Sequence, residues 1–413
     1  MKILIVSQYF YPETFRVNIL AKVLAAKGHT VKVLTGYPQY PQGKLYKGYG
    51  FHLPYQKEWN QVYIERVKVL PRGKTCVGML LNCISFVWEG KKWVKQCREK
   101  FDAVYVFEVS PVTVGLPAIE YKRKFGTPVY FNVQDLWPEN VEEVLGIKNR
   151  IVLNWIHYIV DKIYKESDYI LCASQGFVKQ IAKRRIGEEK LLYWPQFCEK
   201  PDYNKLKKPT LFQEEEECKL VFAGNIGEAQ GLDLLVEAVE RLKEEKIKIY
   251  LVGDGRARKK LEQLIEKKGL QKKIIFVGRV SEKEADAYIR NADGGYLSFK
   301  NTPLFDLTIP AKLQSYLACG IPVLAAAGGE SARIVKEAAC GLVADRSAEG
   351  VEKMIKEFLR MPLEKKEHMK KQAESYFEEN FEMGRLIAEL EEIMELKNKE
   401  QRENSAFIIG KRK

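Results

Sequence analysis

Short Val/Ile-rich stretches alternate with helix-periodic ones along this chain, and the alternation runs through twice. The first half reads KILIVSQYF, TVKVLTG, FDAVYVFEV, TPVYFNVQDLW and DYILCAS as strands, with VNILAKVLAAKGH, GLPAIEYKRKF and NRIVLNWIHYIVDKIYKES as helices. The second reads KLVFAGNIG, KIKIYLVGDG, KIIFVGRV, ADGGYLSF, IPVLAAAGG and GLVAD as strands, each ending near a glycine. Strands that lack a polar face are buried on both sides, which requires parallel βαβ units covered by helices. Between the halves, CEKPDYNKLKKPTLFQEEEE (198–217) is polar and ends in an acidic run, so it is expected to link two domains. A chain of 413 residues is also too long for one ordinary core. The expected α/β organisation is a first domain over 1–197, the linker, a second domain over 218–369, a helix over 370–396 and a charged tail over 397–413.

Charge divides unevenly between the halves. The chain carries a net +13, of which residues 1–200 hold +12 and the remainder +1. Such asymmetry points to an anionic partner for the first half, a membrane surface or a nucleic acid, unless the lysines serve only solubility. None of the eight cysteines forms a CxxC pair or stands beside a histidine, which argues against zinc or redox chemistry. Cys172 and Cys319 lie in apolar runs and read as small core residues in a reducing compartment. MKILIVSQYF has no cleavage-site pattern and is far shorter than a membrane span, so it is expected to be a strand of a cytoplasmic protein.

Ligands of open α/β sheets bind beyond the carboxyl ends of the strands, and the candidate motifs lie there. In FAGNIGEAQGLDLLVEA, Gly224 and Gly227 follow a strand and Gly231 precedes a helix, which would let backbone N–H groups approach an anion. A loop needing glycine only for its turns explains the same pattern. VGDGRARKKLE lacks the third glycine of a dinucleotide fingerprint and reads better as a tight strand-to-helix turn. VQDLWPEN sets Asp135 and Glu139 around Trp-Pro at a strand end, placed either to hold sugar hydroxyls and a proton or to cap the next helix. In TIPAKLQSYLACGIPVLA, Pro310 is expected at the first helical position and Lys312 in the first turn, where a cation opposes the helix dipole. Either Lys312 reaches out to solvent, or an anion docks there. GMLLNCISFVWEGKKWVKQ (78–96) mixes Trp88, Trp93 and a Lys-Lys pair, and suits a membrane surface or a core helix with a wet lysine edge. His29, in KGHTV, is expected in a turn.

Together, GNIGEAQG, PVTVGLPA, VQDLWPE and PAKLQSYLACGIPVLA resemble the GT-B-fold retaining glycosyltransferases of the family-4 type. The likeness is nearest to the bacterial branch with L-fucosamine transferases of O-antigen and capsule synthesis. It runs from the first strand to about residue 390. It implies two Rossmann-like domains facing across a cleft, with a C-terminal helix crossing back to the first. It further implies an acceptor site on the first domain (Arg16, Asp135, Glu139) and a nucleotide-sugar site on the second. There Gly224, Asn225, Gly227, Gln230 and Lys312 would face the diphosphate, Gly278 and Arg279 the base, and Asp306 the sugar. Two glutamates of the family pattern are Leu307 and Ser315 in this chain, and its usual Arg and Lys are Asn225 and Gln230. Their roles would pass to Gln314 or Ser315 and to Lys312.

The resulting expectation is retaining transfer of a sugar, with an N-acetylated amino sugar among the candidates, from a UDP-linked donor to a lipid-linked saccharide. The enzyme would need no metal or other cofactor, because a lysine and fixed dipoles can stabilise the leaving diphosphate. It would sit peripherally on an anionic inner membrane face. A nucleotide-sugar 2-epimerase on the same fold is the enzymatic rival, weakened by the presence of only four histidines. A basic nucleic-acid-binding protein is the non-enzymatic one, weakened by the lack of basic residues clustered with aromatics.

Overall fold

The computed structural model describes residues 1–410 except 74 and 213–216; the side chains of 144, 145 and 400–410 are also outside the description. Part of the expected linker and the end of the charged tail therefore lie outside the described residues. The chain forms two compact units, one comprising 1–173, 177–194 and 387–413, the other 174–176 and 195–386.

Among the described residues, the first unit carries one sheet of β1 (Lys2–Val6), β2 (Thr30–Thr35), β3 (Glu58–Trp59), β4 (Val62–Arg66), β5 (Ala103–Glu108), β6 (Val129–Val133), β7 (Tyr169–Cys172) and β8 (Leu191–Tyr193). Their order is β3-β4-β2-β1-β5-β6-β7-β8, parallel except for β3 against β4. Every residue of β5 and β6 is buried, as expected of strands covered on both faces. Strand order reverses between β1 and β5, so the crevice beyond their carboxyl ends is the place for a ligand.

The second unit repeats the plan with β9 (Cys218–Ala223), β10 (Ile247–Val252), β11 (Ile274–Gly278), β12 (Gly294–Ser298), β13 (Val323–Ala326) and β14 (Gly341–Val343). The order β11-β10-β9-β12-β13-β14 is all parallel and reverses between β9 and β12. One core lies on each face of this sheet, one around Tyr316, Leu317 and Phe377, the other around Leu235, Ile265 and Phe358. Fully burying each such side chain contributes about 1.5–3 kcal/mol.

Three expectations change. The 198–217 stretch belongs to the second unit from its start: Phe212 is buried in that unit's core, and the Tyr203 hydroxyl donates to Ala318 O at 2.5 Å. A helix over 370–396 is two helices, Leu363–Asn380 and Met383–Gly410. Tyr376 and Phe377 of the former pack into the second unit, whereas Ile387, Leu390 and Met394 of the latter are buried in the first. His29 is more than a turn residue, since its Nε2 lies 2.7 Å from Glu391 on that last helix.

Candidate active site

In the second unit the chain leaves β9 at Ala223 and turns through Gly224, whose φ of +137° favours glycine. The VGDG loop packs directly beneath it, so close that a Cβ on Gly253 would stand 2.0 Å from Gly224 O. This is the tight-turn reading of VGDG, with a structural cause. The loop's own amides are largely engaged: Gly224 N–H donates to Val252 O, Ile226 N–H to Asp254 O and Gly227 N–H to Asn225 O. Gly224 and Gly227 thus shape the loop more than they offer donors.

Lys312 reaches this loop. Its helix is Ala311–Ala318, with Pro310 as the N-cap residue rather than the first helical one, because Pro310 is extended at ψ 142°. Lys312 Nζ donates to Gln230 Oε1 and sits 3.7 Å from the centre of the Phe222 ring. A Cβ on Gly224 would lie in ordinary contact with Lys312 Cε, at 3.6 Å, so this position favours glycine for its φ and not for space. Among the described residues no carboxylate pairs with it. The residue as a whole is half-buried, but the enclosed ammonium governs its titration, and burial pushes its pKa well below the usual lysine range. A desolvated cation at a helix N-terminus, beside the β9/β12 switch point, is arranged to meet an anion.

Other residues assigned to this half are placed differently. Gln314 points away, donating to Gln196 O, and Ser315 Oγ bonds Ala311 O within its own helix. Asp306 is paired with Arg346, which also bonds Asn301. Gly278 ends β11 with φ +86°, next to the Arg258 guanidinium, and Arg279 is exposed beyond it. Asn225 is exposed on the loop. The structure brings Gly224, Gln230 and Lys312 together and leaves Gln314 outside that group.

In the first unit, Asp135 follows β6 and accepts from Ser110 Oγ at 2.6 Å and Ser110 N–H at 3.1 Å. Burial raises its pKa, while the two Ser110 bonds pull it down. Glu139 opens the Glu139–Leu145 helix without capping it, accepting from Gln180 at 3.0 Å with Arg184 3.8 Å away. The capping alternative for Asp135 is likewise absent, since its carboxylate faces Ser110 beyond β5. Arg16 begins the Arg16–Ala26 helix, half-buried and without an ion pair among the described residues.

Sequence reading missed Glu108, the last residue of β5. It is fully buried, and its Oε2 accepts from the Gln134 and Asp135 amides at 3.2 and 3.1 Å. Burial, reinforced by the nearby Asp135 charge, raises its pKa well above the carboxylate range. An acid closing the apolar run AVYVFE was the available signal. Arg346, in a charged loop, gave none. Among the described residues, no three His, Cys, Asp or Glu side chains are grouped as a metal site.

Residues 16–198 match the family described as Glycosyltransferase Family 4, and residues 204–376 match Glycosyl transferases group 1. The chain is a group 1/family 4-type glycosyltransferase with the GT-B fold. Among curated relatives, this glycosyltransferase is 24% identical over 341 residues to WcaI of Escherichia coli (strain K12), named for colanic acid biosynthesis, covering 78% of this chain and 82% of that one. It is 24% identical over 222 residues to the glycosyltransferase WbjE of Pseudomonas aeruginosa, covering 51% and 54%. Solved structures share the fold at lower identity. The sucrose-phosphate synthase of Thermosynechococcus elongatus superposes with a TM-score of 0.74 at 14% identity, covering 96% of this chain and 99% of that one. HepE of Anabaena, solved in complex with UDP-glucose, gives 0.67 at 14% identity, covering 96% and 99%. No helix among the glycosyltransferase's described residues is long and apolar enough to cross a membrane.

Proposed function

We propose that this glycosyltransferase moves a sugar from a UDP-linked donor to a lipid-linked saccharide in surface polysaccharide synthesis, with retention of anomeric configuration. The carrying observation is Lys312: a desolvated ammonium, unpaired among the described carboxylates, at a helix N-terminus beside the Gly224 loop. In this reading it meets the donor's diphosphate and stabilises the charge that grows on it as the glycosidic bond breaks. That function asks for no metal or other cofactor. Gly224, Gly227, Asn225 and Gln230 shape the phosphate side, Gly278 and Arg279 border the base, and Asp306 and Ser315 stand toward the sugar. Gln314 holds the helix through its bond to Gln196 O.

On the first unit, Asp135 orients the acceptor, assisted by Glu139 and Arg16, with Ser110 holding the Asp135 carboxylate. HepE, solved with UDP-glucose, supports a UDP-linked donor, and WcaI, named for colanic acid biosynthesis, supports a polysaccharide product. An N-acetylated amino sugar, N-acetyl-L-fucosamine included, is the first donor to try. The +12 charge of the first half supports association with an anionic inner membrane face in this reading. The test is incubation with a panel of labelled nucleotide sugars and cell membranes. Label entering the organic-extractable fraction from one UDP-sugar supports the proposal, and label that stays water-soluble with every donor refutes it.

A further inference from the structure

We propose that a groove on the first unit holds the hydrocarbon chain of the acceptor, with the acceptor's phosphate at Arg72 and its sugar toward Ser110 and Asp135. This deepens the reading above and rests on it for a lipid-linked acceptor. The groove, about 790 Å³, runs between the Cys76–Gln96 and Arg150–Glu166 helices. Leu80, Ile84 and Trp88 form one wall, Val152, Trp155 and Ile159 the other. Trp88 is 72% exposed and Trp155 54%. Single exposed apolar residues need no explanation, but a contiguous apolar wall marks a binding surface.

What the groove leads to selects the occupant. Met79, Cys83, Pro111, Trp137 and Val141 line both this groove and a smaller cavity of about 150 Å³. That cavity adds Tyr9, Arg72, Asn82 and Ser110, and Ser110 carries the Asp135 carboxylate. The two spaces therefore adjoin, the larger lined almost wholly by apolar groups and the smaller carrying the polar ones. Arg72 lines the smaller cavity, beside Met79, which lines both. Its guanidinium meets the Met79 thioether at 3.8 Å and the Tyr9 hydroxyl, and pairs with no carboxylate among the described residues. A half-buried arginine without a counter-charge suits a phosphate, which its planar fork can grip through two bonds. Lys91, Lys92 and Lys95 line the groove as well and form no ion pair among the described residues. A bilayer surface would account for the exposed tryptophans and the lysines. It would not account for the adjoining cavity that holds Arg72 and Ser110, whereas a single chain ending in a phosphate-linked sugar has a use for both spaces.

Calorimetric titration of the full chain with farnesyl monophosphate, farnesol, inorganic phosphate and phosphatidylglycerol vesicles tests the site. Farnesyl monophosphate should bind at least tenfold tighter than farnesol, with no measurable binding of phosphate alone. Arg72→Met should bring farnesyl monophosphate down to the affinity of farnesol and leave farnesol unchanged. Ile84→Asp and, separately, Leu80→Gln should weaken both by tenfold or more, while far-UV circular dichroism and thermal melts like those of the wild type show that the variants are folded. Equal affinity for phosphate and alcohol in the wild type, binding unchanged in both wall variants, or binding only to vesicles would overturn the proposal. Sugar transfer to an extractable lipid that survives in both wall variants would defeat this site and leave the functional reading standing. Farnesyl monophosphate bound as expected, with no transfer to any lipid, would defeat the functional reading and leave the site standing.

Discussion

Replacing Lys312 by Met keeps the stem over Phe222 and removes only the charge. In the nucleotide-bound enzyme the loss is a charge-assisted hydrogen bond, worth roughly 1.5–3 kcal/mol. Most of it should appear in turnover, because charge on the departing diphosphate grows in the transition state. The expected fall in kcat is therefore roughly 10- to 150-fold, with a smaller change in the dissociation constant of UDP.

Without nucleotide the balance differs. Removing the cation relieves about 0.3–1 kcal/mol of opposition to the helix dipole. A Met–ring contact of about 0.3–1.5 kcal/mol offsets much of the lost cation–ring attraction of about 0.5–2 kcal/mol. Gln230 loses a donor. The apo thermal midpoint should stay within about 3 °C of wild type or rise, since 1 kcal/mol moves a domain of this size by about 2–4 °C. The pH dependence fixes the sign. Burial lowers the pKa of Lys312, so the unfolded chain binds more protons, and the wild type gains stability as pH rises from that lowered value toward the ordinary lysine range. Any advantage of Lys312→Met at neutral pH should shrink as pH rises through that window. The assays are donor-dependent turnover, UDP titration and thermal melts across pH. Full activity in Lys312→Met would refute the phosphate role, and a large drop in apo stability would assign the lysine to the fold.

Three further substitutions probe separate links. Asp135→Asn should lower turnover by roughly 100-fold or more, the range for losing a positioned acid or base, while UDP affinity stays within threefold of wild type; a tenfold loss of UDP affinity would place Asp135 on the donor side. Glu108→Gln should stabilise the enzyme increasingly as pH rises. Its folded pKa lies above the unfolded one, so the stability that protonated Glu108 contributes is lost as pH climbs through the folded value. A stability difference that is flat between pH 5 and 9 (about two units either side of neutrality) would show that Glu108 does not titrate as its burial requires. Gly253→Ala sets a Cβ 2.0 Å from Gly224 O at a φ of +130°, and should lower stability by about 1–3 kcal/mol and weaken UDP binding, both read by melts and titration.

Strands were legible where burial on both faces left an unmixed apolar run. KILIV, AVYVFE and KLVFA needed no context, and every strand read from the second half is present there. The strands toward the two rims of the first sheet, β3, β4 and β8, were not legible. In VYIER, Tyr63 faces solvent and Arg66 is buried against Tyr49 and Tyr55, so neither periodicity nor hydrophobicity marks it. Of the site, Lys312 was legible because a cation in the first turn of a helix breaks a local rule, and such breaks concentrate at functional positions. Its partner Gln230 was suggested only through family likeness. Glu108 and Arg72 escaped notice because their significance depends on what surrounds them: burial with no cation beside it among the described residues for one, and, for the other, a place without a carboxylate partner among those residues in the cavity adjoining an apolar groove.

Glycosyl transfer itself is tested most directly by following both products of the donor in one incubation with membranes. UDP should appear in step with an extractable lipid heavier by one sugar residue, its new linkage holding the anomeric configuration of the donor. Conversion of the nucleotide sugar to an isomer of equal mass, with no UDP released and no lipid gaining a sugar, would contradict transfer and leave epimerisation in its place.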